Sequence, residues 1–497
     1  MSEKESISRD APLQDAALEN HLRAVSADFR PTGRARLDPL AGARRRLTRA
    51  LDFLRARAEQ QTLTPAARWL VDNARMLEEA MTTLRGELRG APALPARRGV
   101  PCVARFAAAW LSHTDGRADE ESLRRAARAW QAARLLDEKE LRLLPAAVRR
   151  ALLLLLSSLA AQCERAERER ALAETADDIA AGRRSAAYWE RLAFLWQERE
   201  DARLLKKLDG CLARMGVTAA ELADHEHERQ ARACLWTANA IQSLRALSAA
   251  DLRPTLEALS AVDAALRRDP AGVYPRMDAE SRAMYRERAA RLAERFGVAE
   301  AVVANRALEC AQNRAHGDTP ALSGHVGYYL MDAGAPALHR TLGSAPLSLR
   351  AARWLGAHAA TLYVLGTMLG SLAATVLLWA LGVRSWTVAP ALLVAGEGFR
   401  QLSALCIHRL SPPRRMPRLA PDQVEGEVLV VVPALLSDRE TALDMARRLS
   451  VLRLANPESR LSYMLLGDFQ DGPAAVEPED GGVTEAALSA VRALNEV

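Results

Sequence analysis

From Trp354 to Val383 the chain carries no Asp, Glu, Lys or Arg. A bilayer core requires roughly 20 consecutive apolar residues in a helix, so this run is long enough to cross with room for tilt. We expect a transmembrane helix over about 355–383, with Trp354 and Trp379 near its ends as interfacial anchors. Gly366-Thr367-Met368-Leu369-Gly370 is a GxxxG pattern, which either admits a second helix at close range or is an incidental pair of small residues. A second apolar segment, about 386–407, contains Glu397 and Arg400. Three residues apart on a helix, these two can neutralise each other, which lowers the cost of charge in lipid. The other reading of this segment is a helix lying in the interface. Arg340, Arg350 and Arg353 precede the pair, Arg409, Arg414, Arg415 and Arg418 follow it, and Arg384 sits between. Both flanks of the hairpin, which we bound at 353–410, are therefore expected to be cytoplasmic.

The chain before the hairpin has a different pattern. Over 21–352 apolar residues recur at three- and four-residue spacing with breaks at Pro or Gly, which is a series of amphipathic helices in a cytoplasmic region. The composition agrees: 9 Trp, 7 Tyr and 7 Phe in 497 residues rich in Ala, Leu and Arg favour helix over a β-sandwich or barrel. Thr64-Pro65 reads as an N-cap and first-turn proline, and Asp119-Glu120-Glu121 as the start of the helix holding Leu123 and Trp130. Ala151–Ala161 is apolar but spans about half of what a bilayer needs, so it reads as a buried core helix. Residues 1–20 read as a disordered tail without a secretory signal. Six scattered cysteines without a CxxC pair argue against a disulfide framework and a zinc site. A formal charge of +6, with 26% charged residues interleaved by sign, points to solvated helix faces and no nucleic-acid partner.

After a Pro/Arg-rich linker over 411–426 the pattern changes again. Val428–Val432 is a continuous β-branched run, expected to be a strand buried on both faces of a parallel sheet. Ser437-Asp438 caps a helix through Leu454, which Asn456-Pro457 ends. A second strand, Leu461–Leu466, leads into an acidic loop, and a last helix begins near Thr484. Residues 427–497 thus read as β-α-β-α, too little to cover a sheet, so the chain is expected to be a truncated piece of a longer protein. In open parallel sheets ligands bind beyond the carboxyl ends of the strands. Pro433 and the residues to Ser437 end the first strand, while Asp468 and Asp471 follow the second. Such carboxylates either accept hydrogen bonds from a nucleotide or hold a divalent metal, or they are turn-formers before Gly472-Pro473. Asp224-His225-Glu226-His227-Glu228 reads as a solvated helix start, because His225 and His227 point to different faces. His113–Asp119 reads as a turn and helix cap. No Walker A loop, GxSxG elbow or HExxH motif is present.

Taken together, these segments resemble the N-terminal part of the cyclic β-1,2-glucan synthases, large inner-membrane glycosyltransferases of Gram-negative bacteria. The resemblance is carried by WLVDNARMLEE (69–79), SHTDGRADEESL (112–123), LLPAAVRRALL (143–153), ANAIQSLRALS (238–248), RRDPAGVYPRMD (267–278) with Ser281-Arg282 and Tyr285-Arg286, and GHVGYYLMDAG (324–334). PPRRMPRL (412–419), VLVVVPALL (428–436), RLANPESRLSYMLLGDFQD (453–471) and the closing ALNEV continue it. It implies a mainly α protein: a cytoplasmic helical region, a two-helix membrane hairpin and the first βαβα of a GT-A, Rossmann-like α/β domain. It further implies a processive glucosyltransferase that builds cyclic β-1,2-glucan from UDP-glucose with Mg or Mn at the bacterial inner membrane. Its partners would be UDP-glucose, the growing glucan chain and the bilayer. In such a fold Pro433, Asp468 and, less so, Asp471 would line the nucleotide-sugar pocket. The Asp-x-Asp metal motif, the catalytic acid and the acceptor motif would lie beyond Val497, so no catalytic residue is assigned here and this chain alone is expected to be inactive. GAPALPARRGVP, from Gly90, departs from the pattern in lacking aromatic residues. The rival reading is a membrane-tethered helical interaction protein with a small signalling-type module.

Overall fold

Polar caps set where the main helices begin. In the computed structural model, which describes residues 9–38, 40–176, 184–200, 202–315, 321–344, 347–382, 386, 388–410, 415–420, 423, 426–457, 460–472, 474 and 477–495, three capping boxes start helices. Asp119 accepts from the Ser122 amide (2.8 Å), Asp137 from that of Glu140 (2.7 Å) and Thr218 from that of Glu221 (3.2 Å). The helices they open are Glu120–Gln131, Glu138–Glu174 and Ala219–Ala249. Thr64 precedes the helix Pro65–Asp72 as expected but does not cap it. Its amide and hydroxyl instead donate to the buried carboxylate of Glu167, at 3.1 and 2.9 Å, which competes for both donors.

Of the described residues 72% are helical, and the chain divides into two compact units, Met1–Pro275 with Ala279–Pro417, and Arg276–Asp278 with Arg418–Val497. The 37-residue helix Glu138–Glu174 is the axis of the first. It contains Ala151–Ala161 and is packed by the helices Ala41–Ala58, Cys102–Leu111 and Ala219–Ala249. Its apolar window is 78% buried, so it is a core helix despite its length. Two expectations need correction. The helix Asp15–Asp28 begins inside the expected disordered tail: Leu18, Leu22 and Val25 form a stripe that packs against the core, which a polar composition concealed. Residues 1–8 lie outside the described residues. The region is also not wholly helical, because Gly33–Ala35, Leu94–Arg97 and Val100–Pro101 form a small antiparallel sheet.

The charge-free run breaks at His358, between the helices Leu347–Ala357 and Ala359–Ala380. Trp354 therefore belongs to the preceding helix, where it stacks on the His358 ring at 4.8 Å. Ala359–Ala380 is long and apolar enough to cross a membrane, and none of it is buried. It pairs antiparallel with Val388–Leu410 through the GxxxG face: Gly370 lies against Phe399 and Gly366 against Ser403. The close approach that the two glycines permit is thus used within the hairpin. Arg400 Nε donates to Glu397 at 2.7 Å, and Gln401 adds a second partner at 3.0 Å. Arg384 lies outside the described residues.

In the second unit Val428–Leu436 and Leu461–Phe469 pair in parallel, in register from Val428 opposite Leu461 to Leu436 opposite Phe469. Each strand is three or four residues longer than the run expected from the sequence. Asp438 caps the helix Arg439–Ala455 through the Thr441 amide (2.7 Å), and the last helix runs Asp480–Asn495, starting before Thr484. Both helices lie on one face, burying Leu436, Ala442, Val483 and Ala487. The expectation of a sheet buried on both faces fails. Leu429 and Leu435, on the other face, are 53% and 57% exposed, because right-handed returns from successive parallel strands place their helices on the same side. This unit also takes in Arg276–Asp278, where Met277 bridges Leu419 and the Ala420 amide donates to the Arg276 carbonyl (2.8 Å). Linker residues 411–414, 421–422 and 424–425 lie outside the described residues.

Candidate functional site

Two neighbouring strands pointing the same way bring their carboxyl ends to one edge. Pro433 sits opposite Leu466, and Asp468 opposite Leu435. Pro433 and Asp468 belong to these alternating positions of the open face, so they share it, and both are exposed. Pro433 has no N–H to give, which an edge strand paired along one side tolerates. Asp468 lies within the strand rather than in a loop after it: pairing with the first strand carries the ladder through Phe469. Its Oδ1 accepts from the adjacent Phe469 amide at 3.0 Å, which leaves the second oxygen directed to solvent chemistry. Asp471 follows two residues beyond the strand and is exposed. The arrangement can present a carboxylate to hydroxyl or amide donors beside apolar Leu435 and Leu466. Among the described residues no group of three His, Cys, Asp or Glu stands ready to hold a metal ion, so the residues present do not fit a metal centre.

The most elaborate polar cluster lies elsewhere, in the first unit, and is built from residues of the RRDPAGVYPRMD, Tyr285-Arg286 and GHVGYYLMDAG motifs. The His325 ring joins Asp269 through Nδ1 (2.8 Å) and the Tyr285 hydroxyl through Nε2 (3.0 Å). Asp269 also accepts from the amides of Val326 (3.0 Å), Val273 (3.1 Å) and Tyr274 (3.2 Å). Burial pushes its carboxyl up, but the His325 contact and these amides together hold it below the usual carboxylate range. Burial, helped by Asp269, pushes the Tyr285 phenol up to about 12. Beside this line Arg286 donates to Asp263 (3.1 Å) and Glu257 (3.2 Å) and stands 3.4 Å from Glu138. Arg282 donates to Glu257 (2.9 Å), and the Tyr274 hydroxyl to Asp263 (2.7 Å). Asp269 and Tyr285 are buried, so this acid–imidazole–phenol line fastens three helical segments from inside. Gly327 makes it possible, since a Cβ there would overlap both the Tyr285 hydroxyl and the His325 ring. Sequence reasoning recorded these residues without joining them; the Asp269 to His325 pairing spans 56 positions.

Two further expectations meet the structure differently. His113–Asp119 is a turn, clamped by Ser243 to the Gly116 carbonyl and by Asn239 to that of Asp115, both at 3.0 Å. Asp224–Glu228 lies in a helix, but it is not wholly solvated: Glu226 is fully buried and binds Arg229 (2.7 Å) and Gln230 (2.9 Å), and His225 lines a cavity of about 1140 Å³.

A helical region, an apolar helical pair and a parallel β-α-β unit with a carboxylate at its strand ends define the class: a mainly helical chain with two apolar helices long or near enough to be membrane candidates and small sheets. No protein-family model matches it. Along most of its length it is similar to the cyclic beta-(1,2)-glucan synthase NdvB of Rhizobium meliloti (strain 1021), with 27% identity over 482 aligned residues that cover 87% of this chain. The chain spans 17% of the length of that protein. This similarity supports a family-level relationship between the two.

Proposed function

We propose that this chain forms the helical region, membrane hairpin and opening α/β unit of a glucosyltransferase of the cyclic β-(1,2)-glucan synthase kind, using UDP-glucose as donor. The observation that carries the reading is the family-level similarity running through the chain, both sides of the hairpin included. The geometry is consistent with it. Pro433 and Asp468 share the open face at the carboxyl end of parallel strands, where a GT-A domain takes its nucleotide. Asp468 would accept from the uracil or ribose, and Asp471 would contribute at the rim. The hairpin would cross the inner membrane twice with both flanks in the cytoplasm. Consistent with both flanks on one side, Arg415, just after it, is paired with Glu280 of the helical region. A divalent metal, if used, would need ligands other than those described here.

The test is UDP-glucose binding to the full chain in neutral detergent, by calorimetry with and without Mn²⁺. Asp468→Asn should weaken binding by about tenfold, equivalent to about 1.4 kcal/mol, and Asp471→Asn by less. Equal affinity of Asp468→Asn and the unchanged chain, or no binding by either, would overturn the assignment.

A further inference from the structure

Several arginines of this chain are held by two hydrogen bonds to one carboxylate. Arg149 forks onto Glu87, Arg134 onto Glu140 and Arg253 onto Asp251, each through two hydrogen bonds. Arg98 and Arg105, both exposed, are not held in this way: among the described residues no hydrogen bond or ion pair engages either guanidinium. Both line one cavity of about 330 Å³, with Arg97, Asp28 and Phe29. Asp28 does not neutralise them, because its carboxylate and carbonyl both receive Arg97 Nη1, at 2.6 Å.

Both arginines also occupy positions that local physics disfavours. Arg97 pairs with Val100 across a two-residue turn made by Arg98 and Gly99, with φ of 52° and 81°. That is the primed hairpin geometry, in which Asn or Gly belongs at the first position and an arginine is strained. Arg105 stands in the first turn of the helix Cys102–Leu111, where the helix end is already positive and an acidic side chain would be favoured. The positive potential is felt nearby: the His21 ring is held below its ordinary value by burial first, then by His113 and Arg105, against the pull of Asp10. Phe29, buried and carrying Arg134 5.5 Å from its ring centre, supplies an apolar wall, as do Val25 and Val100.

We infer that this cavity binds the phosphoryl group of a small phosphorylated molecule, with Arg98 and Arg105 as its forks and Phe29 flanking the organic part. Guanidinium forks match phosphoryl oxygens in geometry, and two such cations without acids of their own give a net attraction that the fold does not cancel. The volume is at the lower end for small-molecule sites, which suits a single head group rather than a polymer. Sites that break local rules without a structural return are where function is expected to reside. The phosphoryl group has two possible sources, a free metabolite or a lipid head group, and the inference is independent of the glucosyltransferase reading.

The experiment uses the full chain in neutral detergent, titrated calorimetrically with pyrophosphate and with glycerol 3-phosphate, and in parallel floated with vesicles of phosphatidylglycerol or of phosphatidylcholine. Arg98→Asn is the first variant, because Asn tolerates the turn and removes the guanidinium; Arg105→Gln is the second. Each should weaken binding at least tenfold and the pair should abolish it, while thermal unfolding of Arg98→Asn without ligand stays unchanged or rises. Loss of soluble-ligand binding identifies a metabolite site; loss confined to phosphatidylglycerol vesicles identifies a lipid head group. The inference is overturned if the double variant binds every probe as the unchanged chain does, or if the unchanged chain binds none of them.

Discussion

Glu300 offers a direct test of how the long core helix is held. Its Oε2 accepts from the Glu138 amide at 2.8 Å, so a side chain from the helix Glu300–Ala315 satisfies one of the first amides of Glu138–Glu174. It lines a cavity of about 310 Å³ that Asp137, Glu138, Lys139, Glu294 and Arg34 also face. Burial, with Asp137 and Glu138 adding to it, lifts the Glu300 carboxyl from the ordinary 4.5 to about 7, against the Glu138 amide and Lys139. An acid raised in the folded chain binds its proton more tightly there, so its stabilising contribution is complete below about pH 4.5 and is lost as pH rises through about 7. The lift corresponds to at most about 3.4 kcal/mol. Partial solvent exposure screens the charge and reduces this to about 1 kcal/mol. Glu300→Gln keeps the acceptor for the Glu138 amide and removes the charge. It should therefore melt about 2 °C above the unchanged chain near pH 8 and together with it near pH 5. Glu300→Ala, which loses the acceptor, should melt lower at both values. Thermal unfolding followed by tryptophan fluorescence in detergent reads these differences. A Glu300→Gln shift that is the same at both pH values, or a loss near pH 8, would refute the reasoning.

Other perturbations follow from the packing. Gly370→Leu should drive Phe399 aside and separate the hairpin helices; cross-linking between cysteines placed at Gly366 and Ser403 should then fall several-fold, and an unchanged yield would count against the antiparallel register. Tyr285→Phe removes the hydroxyl that meets His325 and should cost about 1 kcal/mol in urea unfolding. Gly327→Ala should cost about 1–3 kcal/mol, since its methyl overlaps the same two side chains, and equal midpoints for both variants and the unchanged chain would dismiss the line as a stabilising element.

What the sequence disclosed follows from how local each signal is. Caps at Asp119 and Asp438 act over three residues, and the charge-free run acts over one helix, so each was legible, although the break at His358 was not. Asp468 was misplaced by its setting: Gly467-Asp468 is turn vocabulary, and only pairing with Leu435 reveals a strand. The small sheet escaped because Leu94–Arg97 is too short to show alternation, yet Arg98-Gly99 between two short apolar pieces held the clue of a two-residue turn. The Asp269–His325–Tyr285 line had no local signal at all. Each residue is ordinary in its own segment, two of them in connections and Tyr285 in a helix, and the chemistry arises from tertiary contact.

The bridge from Met277 to Leu419 bears on how the molecule is made. Its two halves leave the ribosome roughly 140 residues apart, and the entropy of closing so long a loop is little more than that of a loop half the size. Length is therefore no obstacle; timing is. Both hairpin helices are synthesised between the two halves, so the bridge cannot form until their synthesis is over. A ribosome stalled within the hairpin leaves Met277 without Leu419 to meet. Formation of this one short pairing thus marks a chain whose hairpin has been synthesised in full.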